Sequence, residues 1–230
     1  MRMLMLLSGF IAVEASPLCA QYEFRTGHPD GIGKFYMGRE IAHTMSAAHA
    51  DWLDRPERQR EEKPDRMLAR MRIEPTDRIA DVGCGTGFHA IRMARSAAEG
   101  HVYAVDVQQA MLDSVRTRAR REGLGNVSAL LGNDTLTGLP IGGIDKVLLV
   151  DVYHELAYPF EIMTDLVASL APSGEVVLVE YRGEHDWVPI KPHHRMTKAQ
   201  CIRELKAVGL ELHRQWGGLP WQHFLVFRKA

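Results

Sequence analysis

The chain has 230 residues, of which 46% are hydrophobic and 25% charged, enough to bury one sizeable core in a single globular unit. Its 28 basic and 29 acidic side chains leave a formal net charge of -1, so it lacks the basic footprint of a protein that tracks a phosphate backbone, and nucleic acid is not an expected partner. Three cysteines, Cys19, Cys84 and Cys201, are odd in number and far apart, which excludes a disulfide framework or a C-x-x-C metal pair and leaves free thiols.

The N-terminus, "MRMLMLLSGFIAVEASPLCAQ", places Arg2 before an apolar run from Met3 to Val13 and small residues at Ala15 and Ala20. Residues 1–20 have the order of a secretory signal and equally that of an apolar arm; Glu14, and Leu18 where a small residue is preferred, count against export, so exported and cytoplasmic locations both stay open. The run is too short to span a bilayer as a helix. Residues 21–75 read as an N-terminal helical cap or lid. Within them "RTGHPDGIGKFYMGREIAHTM" is irregular, and "RPERQREEKPDRMLARMRI" is a charged helical stretch whose mixed signs read as a solvated face.

From Thr76 to residue 230, short apolar runs alternate with helical patterns: "RIADV", a helix over 88–98, "VYAVDV", a helix over 109–122, "VSALLG", "IDKVLLVDV", a helix over 159–170, and "EVVLVEY". This alternation predicts an α/β fold with a mostly parallel, doubly wound sheet covered on both faces. A loop with Pro189 and Pro192 then leads into a helix over 198–208. "LELHRQW" and "HFLVFRK", separated by "GGLP", predict an antiparallel pair at one sheet edge.

The first strand-to-helix turn, "DVGCGTGFHA", carries Gly83, Gly85 and Gly87. Glycines let a backbone approach a ligand closely, and the following helix offers unpaired N–H groups. Asp106 falls about twenty residues later at the end of the next strand, where an acid can accept hydrogen bonds from both ribose hydroxyls. The glycines fall as G-x-G-x-G behind Asp81, whereas the dinucleotide fingerprint is G-x-G-x-x-G, which argues against a nicotinamide oxidoreductase.

On "DVGCGTG" and "VYAVDV" the chain resembles the class I S-adenosylmethionine-dependent methyltransferases, over residues from about Thr76 to Arg182. With its "YMGREIA" and "DWLDRPER" lead-in it looks like one bacterial branch of them. The resemblance implies a Rossmann-like, seven-stranded sheet, an N-terminal lid and S-adenosyl-L-methionine as cofactor. It further implies that Gly83, Cys84, Gly85 and Gly87 shape the wall beside the methionine part, with Asp81 orienting its amino end through water or backbone. Asp106 would hold the ribose, and Val107 and Met111 would flank the adenine. Asn133 or Asp134, in "LLGNDTL", is placed to meet the adenine amino group, or else forms an ordinary solvated turn.

"VLLVDVYHEL" delivers Asp151, Tyr153, His154 and Glu155 to the sheet's carboxyl edge, where Asp151 also borders the cofactor. His154 is the expected general base, or else a structural histidine; Glu155 or Asp151 would orient it. Tyr36, Tyr153, Tyr181, His193 and His223 are the expected substrate-pocket residues, and one of Tyr36, Arg39 and Glu40 in the lid should line the pocket. His154, Glu155, His193, His194 and His223 could converge on a metal, but no H-x-x-x-H or H-E-x-x-H spacing is present, so no metal is expected. Cys84 is not expected to be a nucleophile, and Cys201 is expected in the core. The expected activity is methyl transfer to a small molecule. The rivals are a non-catalytic S-adenosylmethionine-binding protein, a nicotinamide oxidoreductase and a macromolecular methyltransferase.

Overall fold

A computed structural model describes residues 22–230, so the leader expected over residues 1–20 lies outside the described residues. The chain enters through a three-stranded antiparallel sheet of β1 (Tyr22–Phe24), β2 (Gly31–Tyr36) and β3 (Arg39–Ala42). The segment expected to be irregular and then helical is therefore strand first. The β2–β3 link is Met37 and Gly38, with φ of 48° and 85°, the positive-φ pair that suits a two-residue hairpin. Helical structure follows as a 3-10 segment, Ala47–Asp54, then α1 (Arg58–Glu61) and α2 (Pro64–Met71). Pro64 opens α2 where a missing N–H costs nothing.

The remaining strands are β4 (Arg78–Val82), β5 (His101–Asp106), β6 (Val127–Leu131), β7 (Ile144–Val150), β8 (Leu170–Tyr181), β9 (Leu210–Trp216) and β10 (Gln222–Lys229). Between them run α3 (Phe88–Ser96), α4 (Gln109–Arg121), α5 (Pro159–Ser169) and α6 (Lys198–Lys206). They form one seven-stranded sheet in the order β6-β5-β4-β7-β8-β10-β9, parallel through β8 and antiparallel for the last two. The strand-and-helix alternation expected from Thr76 onward is what the chain adopts.

Period-two alternation in the strands sends Val147, Leu149, Val176 and Leu178 to one face, against Ile162, Leu166 and Leu205 of α5 and α6. Ile79, Val102, Leu148 and Val177 go to the other, against Met67, Met93 and Leu112 of α2, α3 and α4. β10 is buried from Gln222 to Phe227 and takes the inner place, whereas β9 alternates with exposed positions and forms the edge.

The chain leaves β4 toward β5 and β6, then returns to its other side at β7. The carboxyl ends of β4 and β7 thus flank the crevice where open α/β sheets bind ligands. Gly83 sits there at φ +68°, and a Cβ on it would lie 2.3 Å from Val152 Cγ2. Gly83→Ala is expected to lower stability by about 1–3 kcal/mol, read as a lower denaturant midpoint at unchanged slope.

Candidate active site

A cavity of about 730 Å³ opens at this edge, within the range of small-molecule and cofactor sites. The glycine turn forms one wall. Gly83, Gly85 and Gly87 all have positive φ (68°, 53° and 82°), and the N–H groups of Gly83 and Cys84 donate to Val105 O at 2.8 and 3.0 Å. Asp106 borders the cavity and is fixed by the N–H groups of Gly85 and Gln108, each 2.9 Å from one carboxylate oxygen. Two backbone donors leave lone pairs on both oxygens for a ligand's hydroxyls. Burial pushes the Asp106 carboxyl above its ordinary value.

Asp81, Cys84 and Gly87 stand behind this wall and do not border the cavity. Cys84 packs into the core, where burial pushes its thiol well up, so only its backbone is at the turn's surface. Asp81 accepts from Ala90 N–H, and its Oδ2 is buried without a partner; burial raises its carboxyl to about 7. The unfolded carboxyl titrates near about 4, so the folded state holds the extra proton in between, and the stability this gives is lost as pH rises through about 7. In Asp81→Asn the amide replaces the protonated acid. Relative to the parent, the variant should gain on the order of a few kcal/mol between about pH 5 and pH 8, measured by denaturation at each pH.

Asp151, at the end of β7, holds the left-handed φ of 51°, a strained conformation for a non-glycine residue. Its Oδ2 accepts from Gln222 Nε2 at 2.6 Å, whereas Oδ1 is buried without a partner at the cavity border. Burial, then the charges of Glu62 and Glu180, push its carboxyl well up. Val107, Met111, Asn133 and Asp134 border the cavity too. Asn133 Oδ1 is already engaged, accepting from the N–H groups of Thr135 and Leu136, each at 2.9 Å.

The cover over the cavity comes from residues 43–62, not from the strand residues expected to line it. Tyr36, Arg39 and Glu40 do not border the cavity, because the β2–β3 hairpin turns them toward other partners. Gln108 clamps the cover, donating to Met45 O at 2.9 Å and accepting Ala47 N–H at 2.8 Å. The charged run beside it is solvated at Glu57, Gln59, Arg60, Asp65 and Arg66, as its mixed signs suggest, but turns Arg58 and Glu62 inward. Arg55 and Arg58 both pair with Glu62, which also accepts from Tyr181 Oη at 2.8 Å. Mutual neutralisation is what lets Arg58 and Glu62 be buried at the cavity border.

A 3-10 turn, Tyr153–Glu155, follows β7. His154 is 1% exposed and its Nδ1–H donates to Glu180 Oε2 at 2.7 Å. Its Nε2 lies 3.1 Å from His194 Nδ1 and 3.7 Å from Glu155 Oε1, and the last two are 3.3 Å apart. Burial pulls the His154 imidazole down, but the adjacent Glu180 carboxylate more than offsets this and leaves it raised. The group that orients His154 is therefore Glu180, and not Asp151, which is turned to Gln222. Arg39 supports the turn from behind, donating to His154 O at 3.1 Å while paired with Glu204.

Of the expected pocket aromatics and histidines, Tyr181 borders the cavity and Tyr36, Tyr153, His193 and His223 do not. Tyr153 is fully buried in the sheet core, and Tyr36 packs on Tyr22 with centroids 5.4 Å apart. His193 is held by Glu40 at 3.0 Å and His223 by Glu184 at 2.8 Å, both away from the cavity. Glu180 has a legible signal, since an acid ending an apolar run needs a buried partner. Gln108 and the inward side of Arg58 and Glu62 have no such signal, because their partners are distant in sequence.

Residues 73–224 match the family described as "Methyltransferase domain". Among curated proteins, the ribosomal RNA large subunit methyltransferase G of Streptomyces avermitilis is 28% identical over 168 residues, 70% of this chain and 42% of the relative. A protein-L-isoaspartate O-methyltransferase of Rhodopseudomonas palustris is 25% identical over 64% of this chain and 67% of its own length. The demethylmenaquinone methyltransferase of Geobacillus kaustophilus is 28% identical over 50% of this chain and 49% of its own. The chain thus spans about half the length of two of these three relatives. Among solved structures, an S-adenosylmethionine-dependent methyltransferase from Aquifex aeolicus superposes with a TM-score of 0.76 at 21% identity, over 81% of this chain and all of that one. SpnF, a cyclase, shares the fold with a TM-score of 0.58 at 23% identity, over 66% of this chain and 58% of its own, so fold alone does not name a reaction. With two thirds of its length matched to the methyltransferase domain, and the glycine turn and Asp106 arranged as above, the chain belongs to the class I S-adenosylmethionine-dependent methyltransferases.

Proposed function

We propose that the protein transfers a methyl group from S-adenosylmethionine to a small-molecule acceptor whose ionisable group binds beside His154, Glu155 and His194. One observation carries this reading: a single cavity joins the glycine turn and Asp106 to that cluster, beneath the cover of residues 43–62. Relatives named for ribosomal RNA and for protein make the acceptor class the point to test.

The residues present fit the cofactor. The turn is free of side chains at positive φ, Asp106 keeps lone pairs toward the cavity, and the orphaned Asp151 Oδ1 needs a hydrogen-bonding partner. Asp106 would hold the ribose hydroxyls, with Val107 and Met111 at the adenine and Asp134 at its amino edge, since Asn133 Oδ1 is taken by Thr135 and Leu136. Asp81 would act on the amino end through the turn's backbone, and Asp151 directly at the cavity border. When bound, the cofactor supplies an activated sulfonium methyl group. The chain's own residues supply alignment and control of the acceptor's proton. Glu180 fixes His154 in direction, Met45 N–H fixes Glu155 by donating to its Oε2 at 3.0 Å, and residues 43–62 line the cavity over both ligand ends.

The test supplies the full chain with methyl-labelled cofactor and a cell extract separated by size. Label is expected in the small-molecule fraction. Label confined to RNA or protein would overturn the acceptor class.

A further inference from the structure

We propose that His154, Glu155 and His194 form a binding site for one divalent first-row transition cation, zinc above all, with an open position that takes the acceptor's ionised oxygen or sulfur. The cation site stands on its own geometry, and its use by the acceptor rests on the methyl-transfer reading.

His154 Nε2, His194 Nδ1 and Glu155 Oε1 are separated by 3.1, 3.3 and 3.7 Å. Nitrogen and oxygen ligands lie about 2.0–2.2 Å from zinc, and tetrahedral geometry then sets them roughly 3.3–3.6 Å apart. The three atoms already stand at about that spacing. Sequence pattern had argued against a metal because no two ligands share a helix face. Here two ligands are neighbours on one 3-10 turn after β7, and the third comes from another, Pro192–His194, beyond β8.

The protonation pattern and the outer partners agree with this assignment. His154 Nδ1–H donates to the fully buried Glu180, which selects the tautomer that binds a cation through Nε2. Met45 N–H occupies Glu155 Oε2 and leaves Oε1 toward the cluster. Arg39 holds the His154 carbonyl, and Lys191 ties the His194 loop to Asp30. Ligands fixed in this way by neighbours are characteristic of metal centres.

Two imidazoles and one carboxylate suit zinc and its first-row neighbours, whereas magnesium and calcium require a fuller set of oxygens. Three protein ligands leave one position open, as in catalytic rather than structural sites. All three residues border the cavity, so that position opens on the acceptor space. An acceptor hydroxyl or thiol binding there would lose its proton to solvent, the O–H or S–H bonding pair staying on the oxygen or sulfur. His154 then serves as a ligand, and no protein base is required.

The test dialyses the full chain against a chelator, returns it to metal-free buffer and titrates it with zinc, then separately with magnesium. One equivalent of zinc is expected to bind, and magnesium not at all. Cobalt should give the visible absorption of a low-coordinate nitrogen and oxygen site. His194→Ala and Glu155→Gln should each weaken zinc binding by at least about 100-fold, whereas His213→Ala, at an exposed position on β9, should leave it unchanged. A folded chain that binds no stoichiometric zinc, or binds it equally well in both ligand variants, overturns the site. S-adenosylhomocysteine binding is measured on the same samples. Zinc binding without it would keep the cation site and remove the methyl-transfer reading; the reverse result would do the opposite.

Discussion

Asp106→Ala is expected to weaken S-adenosylhomocysteine binding by at least about 100-fold while the chain stays folded. The carboxylate does two things at once. It accepts the N–H groups of Gly85 and Gln108, which sets the glycine turn against the end of β5, and it keeps lone pairs for the ribose. Hydrogen bonds to a charged group contribute about 1.5–3 kcal/mol each, so losing two ribose contacts and the turn's anchor costs about 3 kcal/mol or more, or at least two powers of ten. Asp106→Asn retains one accepting oxygen and should fall between. Calorimetry on the three proteins provides the check. If the alanine variant bound within about threefold of the parent, Asp106 would have no part in holding the cofactor.

The second large effect is expected at His154. Alanine would leave Glu180 buried without its donor and endanger the fold, so His154→Gln, whose amide can still donate to Glu180, is the variant of choice. Turnover on the acceptor should fall by about 10²–10⁴-fold, with S-adenosylhomocysteine affinity changed by no more than about threefold, because His154 follows β7 whereas Asp106 ends β5, with β4 between them. Parent-like turnover would remove His154, and with it the cluster, from the chemistry.

The sheet was legible because each strand and helix beyond Thr76 announces itself locally. "LELHRQW" carries its edge position in its alternation, "RIADV" and the apolar "HFLVF" carry their burial in continuous apolar runs, and the order of strand, glycine turn, helix, strand and acid placed Asp106 at a ligand edge. The β2–β3 hairpin was less so, since its single cue is Met37–Gly38 between two short, mixed strands. Which side chains face the cavity was legible only in part. His154 and Glu155 could be placed at the end of β7. That Glu180 and His194 reach them depends on β8 pairing with β7 and on the loop after β8 folding back, and these are long-range facts. The inward turn of Arg58 and Glu62 is of the same kind: composition sees a mixed charge run, and only the contacts of Arg58 with His89 and of Glu62 with Tyr181 show which members are buried.

A calorimetric titration of the full chain with S-adenosylmethionine, S-adenosylhomocysteine and, separately, NADH tests whether the glycine turn and Asp106 hold a sulfur nucleoside. One site should be seen for each sulfur nucleoside, the two competing with one another, and no heat beyond dilution for NADH. NADH binding at the same site, or a folded chain that binds neither sulfur nucleoside, would contradict the assignment of the glycine turn and Asp106 to S-adenosylmethionine.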